Sequence, residues 1–243
     1  MLKHVLSLSL LLNVLTAFAQ FNDSTHHFLR LASSGNLNRT NTSESHLLNN
    51  NLRFSIKKKK ISLNTTQGWV YGKQNDKLSN NDYSSYIDFN VHPWGPKFYY
   101  WGLGNYTSSF SLKIEKQIQT GLGLAYNFIE TERNWLNLSN GLLYEASDLR
   151  LSSGEDEQYQ TLRNSFRLAF RFRIGEVVIF EGSGYLQNSL NSRSDYIIRS
   201  TTGISIRLNR WLNLNSSLGY NRITRTDREN LLLSYGLALE RYF

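Results

Sequence analysis

Arg163, Arg167, Arg171 and Arg173 follow one another at intervals of four, four and two residues. In a β-strand such even intervals put all four side chains on one face. Guanidiniums gathered on one wall can act in two ways. Around a passage they form a like-charge lining that favours permeant anions. Braced by carboxylates, they form ion-pair networks that fill the same space. Arg199 and Arg207, on one parity of another segment, and Arg53 in a third, extend the set. Asp88, Glu145 and Glu181 are the candidate carboxylate partners.

Other chemistry has less behind it. Four histidines follow residue 20: His26, His27, His46 and His92. The adjacent pair His26 and His27 would point to opposite faces of a strand, so no metal site and no cofactor are expected. The sequence contains no Gly-x-Ser-x-Gly elbow, no His-Glu-x-x-His and no phosphate-cradling glycine loop. One nucleophile arrangement stays open, Ser84 or Ser85 with His92, because geometry and not sequence order defines a triad. The run Lys57 to Lys60 reads as a solvated turn, or one touching anionic lipid headgroups, and no nucleic-acid partner is expected. Glu155, Asp156 and Glu157 read as a soluble loop, with divalent-ion bridging to lipopolysaccharide phosphates as the alternative.

The elements carrying these residues have a period of two. Phe166, Leu168, Phe170, Phe172 and Ile174 alternate with the arginines. Leu122, Leu124, Tyr126 and Phe128 alternate with Gly121, Gly123, Ala125 and Asn127, small residues suited to a crowded barrel interior. Leu231, Leu233, Tyr235, Leu237 and Leu239 repeat the pattern in a chain that stops on Phe243. The only prolines, Pro93 and Pro96, share one turn, which suits continuous ladders elsewhere. Charge facing hydrocarbon at mid-depth costs about 2–4 kcal/mol, so the arginine face must turn inward.

Twelve strands are expected, near 26–40, 46–57, 60–73, 82–92, 97–108, 110–129, 134–147, 160–174, 176–189, 194–208, 210–223 and 230–243. Each reaches the nine to eleven residues a tilted strand needs to cross a bilayer. The links after even strands look tight and those after odd strands longer and polar. The fold expected is therefore an all-β antiparallel transmembrane barrel with short periplasmic turns and longer outer loops. Strand 12 must close on strand 1, since an open edge in hydrocarbon leaves backbone groups unpaired. NWLNLSNGLLYE and RWLNLNSSLGYN share a Trp at one end and a Tyr at the other. Tyr71, Tyr144, Tyr220 and Phe243 are the expected membrane-interface aromatics.

Residues 1–19 have one cation, an apolar run and Ala17-Phe18-Ala19, which predicts a cleaved signal peptide and a barrel over 20–243. Its removal leaves a net charge of +7 from the +8 of the whole chain, whose cysteine count is zero. The runs NDYSSYIDFN, KFYYWGLGNY and QTGLGLAYNFIETERNWLNLSNGLLYE, with SGNLNRT and the terminal strand, resemble the family called domain of unknown function 481. Its members are described as salt-induced outer-membrane proteins, and the Asn- and Tyr-rich style resembles exported proteins of the Bacteroidetes. The resemblance implies a barrel in the bacterial outer membrane, with outer-membrane lipids, lipopolysaccharide and the barrel-assembly machinery as partners. It brings no reaction and no functional residues. The expectation is a non-enzymatic barrel, either a narrow arginine-lined pore for small solutes and anions or a structural element of the envelope. The alternative is a lipid-modifying hydrolase at a barrel rim.

Overall fold

The computed structural model describes residues 26–39, 43–151 and 156–242. The expected signal peptide and Phe243 lie outside these. Twelve strands follow in order: β1 (His27–Arg39), β2 (Glu44–Lys58), β3 (Ile61–Gln74), β4 (Lys77–Val91), β5 (Phe98–Ser109), β6 (Ile114–Glu130), β7 (Asn134–Arg150), β8 (Asp156–Ile174), β9 (Val178–Ser189), β10 (Tyr196–Arg207), β11 (Leu212–Ile223) and β12 (Arg228–Tyr242). Each pairs antiparallel with its sequence neighbour, and β12 returns to β1, so the sheet closes with no free edge. The closing seam spans seven paired positions, Phe28↔Tyr242 through Ser34↔Gly236. Gly236 is required there, because a Cβ would sit 2.1 Å from the Ser33 carbonyl oxygen.

The pleat sorts the side chains. On β12, Leu233 is 45% exposed and its neighbour Ser234 only 7%. Leu122, Leu142, Phe166 and Leu218 likewise face outward on their strands. Hydrocarbon outside and hydrogen-bonding groups inside reverse the polarity of a water-soluble domain, as a membrane barrel requires.

The connections differ from the expectation. Asn75 and Asp76, both at positive φ, form a two-residue turn between β3 and β4. The polar stretch around them, read as a loop, is paired strand: Lys77–Asn81 belong to β4. The Asx residues take the left-handed conformation a tight hairpin needs, and pairing then absorbs the flanking polar residues. The residues after β5 reverse the error. Phe110–Lys113, assigned to a strand by pattern, make a turn before β6 begins at Ile114.

Candidate functional site: a two-chambered lumen

The start of β1, the end of β12 and the turns after the even strands share one end of the barrel, the terminal end. There the Lys57 amide donates to the His26 carbonyl. From this terminal end a chamber of about 1280 Å³ runs inward. Arg53, Arg167, Arg171, Arg173, Arg207 and Glu181 all border it. Arg30, Lys57 and Arg133 bring the cations to eight, against the carboxylates of Glu132, Glu181 and Glu240. Arg30 reaches Glu181 and Glu240, both at 3.1 Å, and Glu181 also faces Arg171 at 3.7 Å. Among the described residues, Arg53, Arg167 and Arg207 have no carboxylate within 4.0 Å. The Arg53 guanidinium lies 5.9 Å from the Phe28 ring centre and that of Arg167 5.2 Å from Tyr185. The chamber therefore carries a net positive field that its own acids do not cancel.

A second chamber of about 430 Å³ lies deeper, and Asn49, Asn51, Ser183, Thr201, Ser217 and Ser234 border both. Its charged lining is Asp82 and Arg199 alone; carboxamides, hydroxyls and the rings of Tyr86 and Tyr185 make up most of the remainder. Arg199 donates to Gln117 Oε1 at 2.6 Å. Asp88 turns inward closer to the terminal end and accepts from Asn64 and Asn90 at 2.8 and 2.7 Å.

Arg163 and Glu145 face inward but border neither chamber. Both are fully buried, joined by two hydrogen bonds of 2.8 and 2.9 Å. The Tyr159 hydroxyl also donates to Glu145, and Asp195 Oδ1 lies 2.9 Å from Arg163. Above them Leu112, Ile114, Leu149, Ile197 and Ile223 form an apolar cluster inside the far mouth. Ser111 of the preceding turn donates to Asp82 and accepts from Asn230 of β12 at 3.0 Å. That contact joins the turn at β5 to a strand five places away round the sheet. Arg225 ties the β11–β12 turn to Asp195 and Glu157, each at 2.6 Å. The far mouth is thus capped and the terminal mouth open.

The hydrolase candidate is not assembled. Ser84 faces the deeper chamber and Ser85 the opposite, outward parity. His92 lies beyond the strand, seven residues from Ser85, on the order of 20 Å at ~3.3 Å per residue. It stacks on Tyr99 at 4.5 Å. Burial, and then Lys57, lower its pKa from the ordinary histidine value. His27 stacks on Phe54 and His46 lies against Tyr71, so neither approaches the other. Among the described residues no cluster of His, Asp and Glu could hold a metal.

The family model described as "Protein of unknown function, DUF481" matches residues 32–232. The chain belongs to this family. Among curated proteins no sequence matches significantly. Two of the solved structures similar to this chain are these. One is the NanC porin, with 10% identity and a TM-score of 0.56 over 86% of this chain and 98% of that one. The other is the COG4313 outer membrane channel from Pseudomonas putida F1, with 12% identity and a TM-score of 0.51 over 93% and 100%. At such identities the likeness is one of fold, and the fold is that of outer-membrane barrels.

On this DUF481 barrel the aromatics divide. Tyr71, Tyr144 and Tyr220 stand on the outward parity, with Tyr71 5.9 Å from Trp69. The Tyr220 hydroxyl donates to Glu229 at 3.1 Å. Trp135, grouped with Tyr144 as an interface residue, instead points inward and donates to Asn127 Oδ1 at 3.0 Å. Nine residues separate it from Tyr144, and an odd interval sends the two to opposite faces. Several residues central to the lumen were not singled out by sequence: Arg30, Tyr159, Asp195 and Arg225. Arg30 sits on the inward parity of a faintly patterned strand, a usable signal. Asp195 and Arg225 belong to turns that fold back over the mouth, where no periodicity marks them.

Proposed function

We propose that the protein is a non-enzymatic outer-membrane barrel acting as a narrow, anion-favouring pore for small solutes. Its terminal end faces the periplasm and its capped end the outside. The observation that supports this best is the charge of the larger chamber, eight cationic side chains against three acidic ones. Like charge in a low-dielectric corridor raises the local concentration of counter-ions. The cap makes the far mouth the resistance that limits passage. In this reading the apolar belt contacts outer-membrane lipid, Lys57 to Lys60 touch anionic headgroups, and the C-terminal strand engages the assembly machinery.

Single-channel recording of refolded protein in a planar bilayer under a salt gradient tests the pore. Discrete openings with anion preference are expected. R167Q with R171Q should reduce that preference, and L112A should raise the conductance by loosening the cap. Silence from folded native protein and from folded L112A refutes the pore and leaves a structural envelope barrel. That second reading is favoured by the buried Arg163–Glu145 pair and the apolar cluster across the far mouth.

A further inference from the structure

The two chambers differ in chemistry, and that difference defines a ligand. The wider one is cationic. The deeper one, about 430 Å³, falls within the roughly 300–1,000 Å³ of small-molecule sites. Seven carboxamides line it: Asn49, Asn51, Asn105, Gln119, Gln187, Asn221 and Asn230. Some are already engaged, as Asn105 is with Gln119 and Gln119 with Gln187. Asn51 and Asn221 make no side-chain hydrogen bond to another described residue. Each is an amide with two donors and an acceptor facing the cavity. Asn51 stands in register between Ala32 and Gly68, and Asn221 beside Arg199 and Asn230. Small residues in the same lining, Ser183, Ser217 and Ser234, keep the space open. The rings of Tyr86 and Tyr185 add apolar faces of the kind that pack against C–H surfaces.

A bare inorganic anion would use the arginines and leave the amide chamber unread. A neutral polyol would use the amides and ignore the charge. We infer that the lumen binds a small hydroxylated organic anion, of the sugar-acid or sugar-phosphate class. Its charged group sits among the arginines of the larger chamber, beside Arg53, and its hydroxyls against Asn51, two residues away on the same inward face of β2 and bordering both chambers. The inference rests on the reading of the lumen as anion-admitting and names the solute class.

Titration calorimetry of the refolded barrel in detergent tests it without requiring conduction. The probes are glucuronate against acetate and glucose, and glucose 6-phosphate against inorganic phosphate. The hydroxylated anion is expected to bind at least tenfold more tightly than its bare counterpart, and glucuronate more tightly than glucose. A gain confined to one pair identifies the anionic group as carboxylate or phosphate. N51L should remove the gain while acetate and phosphate binding persist. Equal affinities within both pairs, or glucose binding as tightly as glucuronate, overturn the inference. An electrically silent barrel that still prefers glucuronate would refute the pore and leave this site standing. A conducting, anion-selective barrel with no such preference does the reverse.

Discussion

Breaking the Arg163–Glu145 pair from either side should destabilise the barrel more than any other conservative change in the lumen. Arg163 and Glu145 are both wholly buried, and the guanidinium meets the carboxylate through two hydrogen bonds below 3.0 Å. Losing one partner of such a pair leaves an uncompensated buried charge, which costs about 3–5 kcal/mol. In E145Q the second acid, Asp195 at 2.9 Å, still faces Arg163, so the lower end applies, about 3 kcal/mol. R163M strands Glu145, which retains only the neutral donors Gln119 and Tyr159, so its loss should be as large or larger. The double variant E145L with R163M removes both charges and should lose less than either single one, because well-packed apolar replacements of buried pairs are near neutral. Equilibrium urea unfolding in phospholipid vesicles, followed by tryptophan fluorescence, measures all three. With a urea dependence of up to about 3 kcal/mol per molar, the E145Q midpoint should fall by ~1 M or more. Single variants within about 0.5 kcal/mol of the native barrel would refute the reasoning. Water would then reach the pair.

Three further outcomes follow from the geometry. Gly123 and Gly141 form a floor under the Trp101 ring: added Cβ atoms would lie 2.6 and 2.4 Å from its Cζ2 and as close to neighbouring backbone. G141A should therefore cost about 1–3 kcal/mol in the same unfolding assay, and W101A should relieve only part of it. L233R places a cation on the lipid face and should cost about 2–4 kcal/mol, whereas S234R, one residue on, points into the lumen and should cost far less; equal costs would contradict the register of β12. His92 has a lowered pKa in the fold, so the unfolded chain binds its proton more readily. Its contribution is present above the unfolded value near 6.5 and is lost as pH falls through the folded one, and a pH titration of stability should lose that acid-side decline in H92F.

The fold was legible because a membrane barrel leaves its solvent written along each strand. Phe166 to Ile174 against Arg167 to Arg173 cannot be read as a helix, and the outward apolar parity recurs until the sheet must close. The extents of the elements were less visible. Lys77–Asn81 and Phe110–Lys113 are both short polar-to-mixed stretches, yet the first is strand and the second turn. What separates them is partner length. Asn75 and Asp76 permit a tight hairpin whose polar arms pair, whereas Ser111 is held out of the ladder by Asp82 and Asn230. Neither partner lies near enough in sequence to announce itself.

The inner surface shows the same limit more sharply. Parity says that Arg163, Arg167 and Arg171 share a wall, and the structure gives that wall three different fates. Arg163 is locked to Glu145 beneath the cap, Arg167 of the larger chamber lies over Tyr185 of the deeper one, and Arg171 faces Glu181 in the open chamber. The strand advances about 3.3 Å per residue, so intervals of four carry successive arginines about 13 Å along the strand, from one environment to the next. Periodicity reports direction and says nothing of depth. Depth decides whether a guanidinium braces the barrel or attracts an anion, because it sets which strands face it across the lumen. Bracing at one end and a positive chamber at the other therefore coexist in a single strand. The two meanings of an arginine-rich face are successive segments of one path.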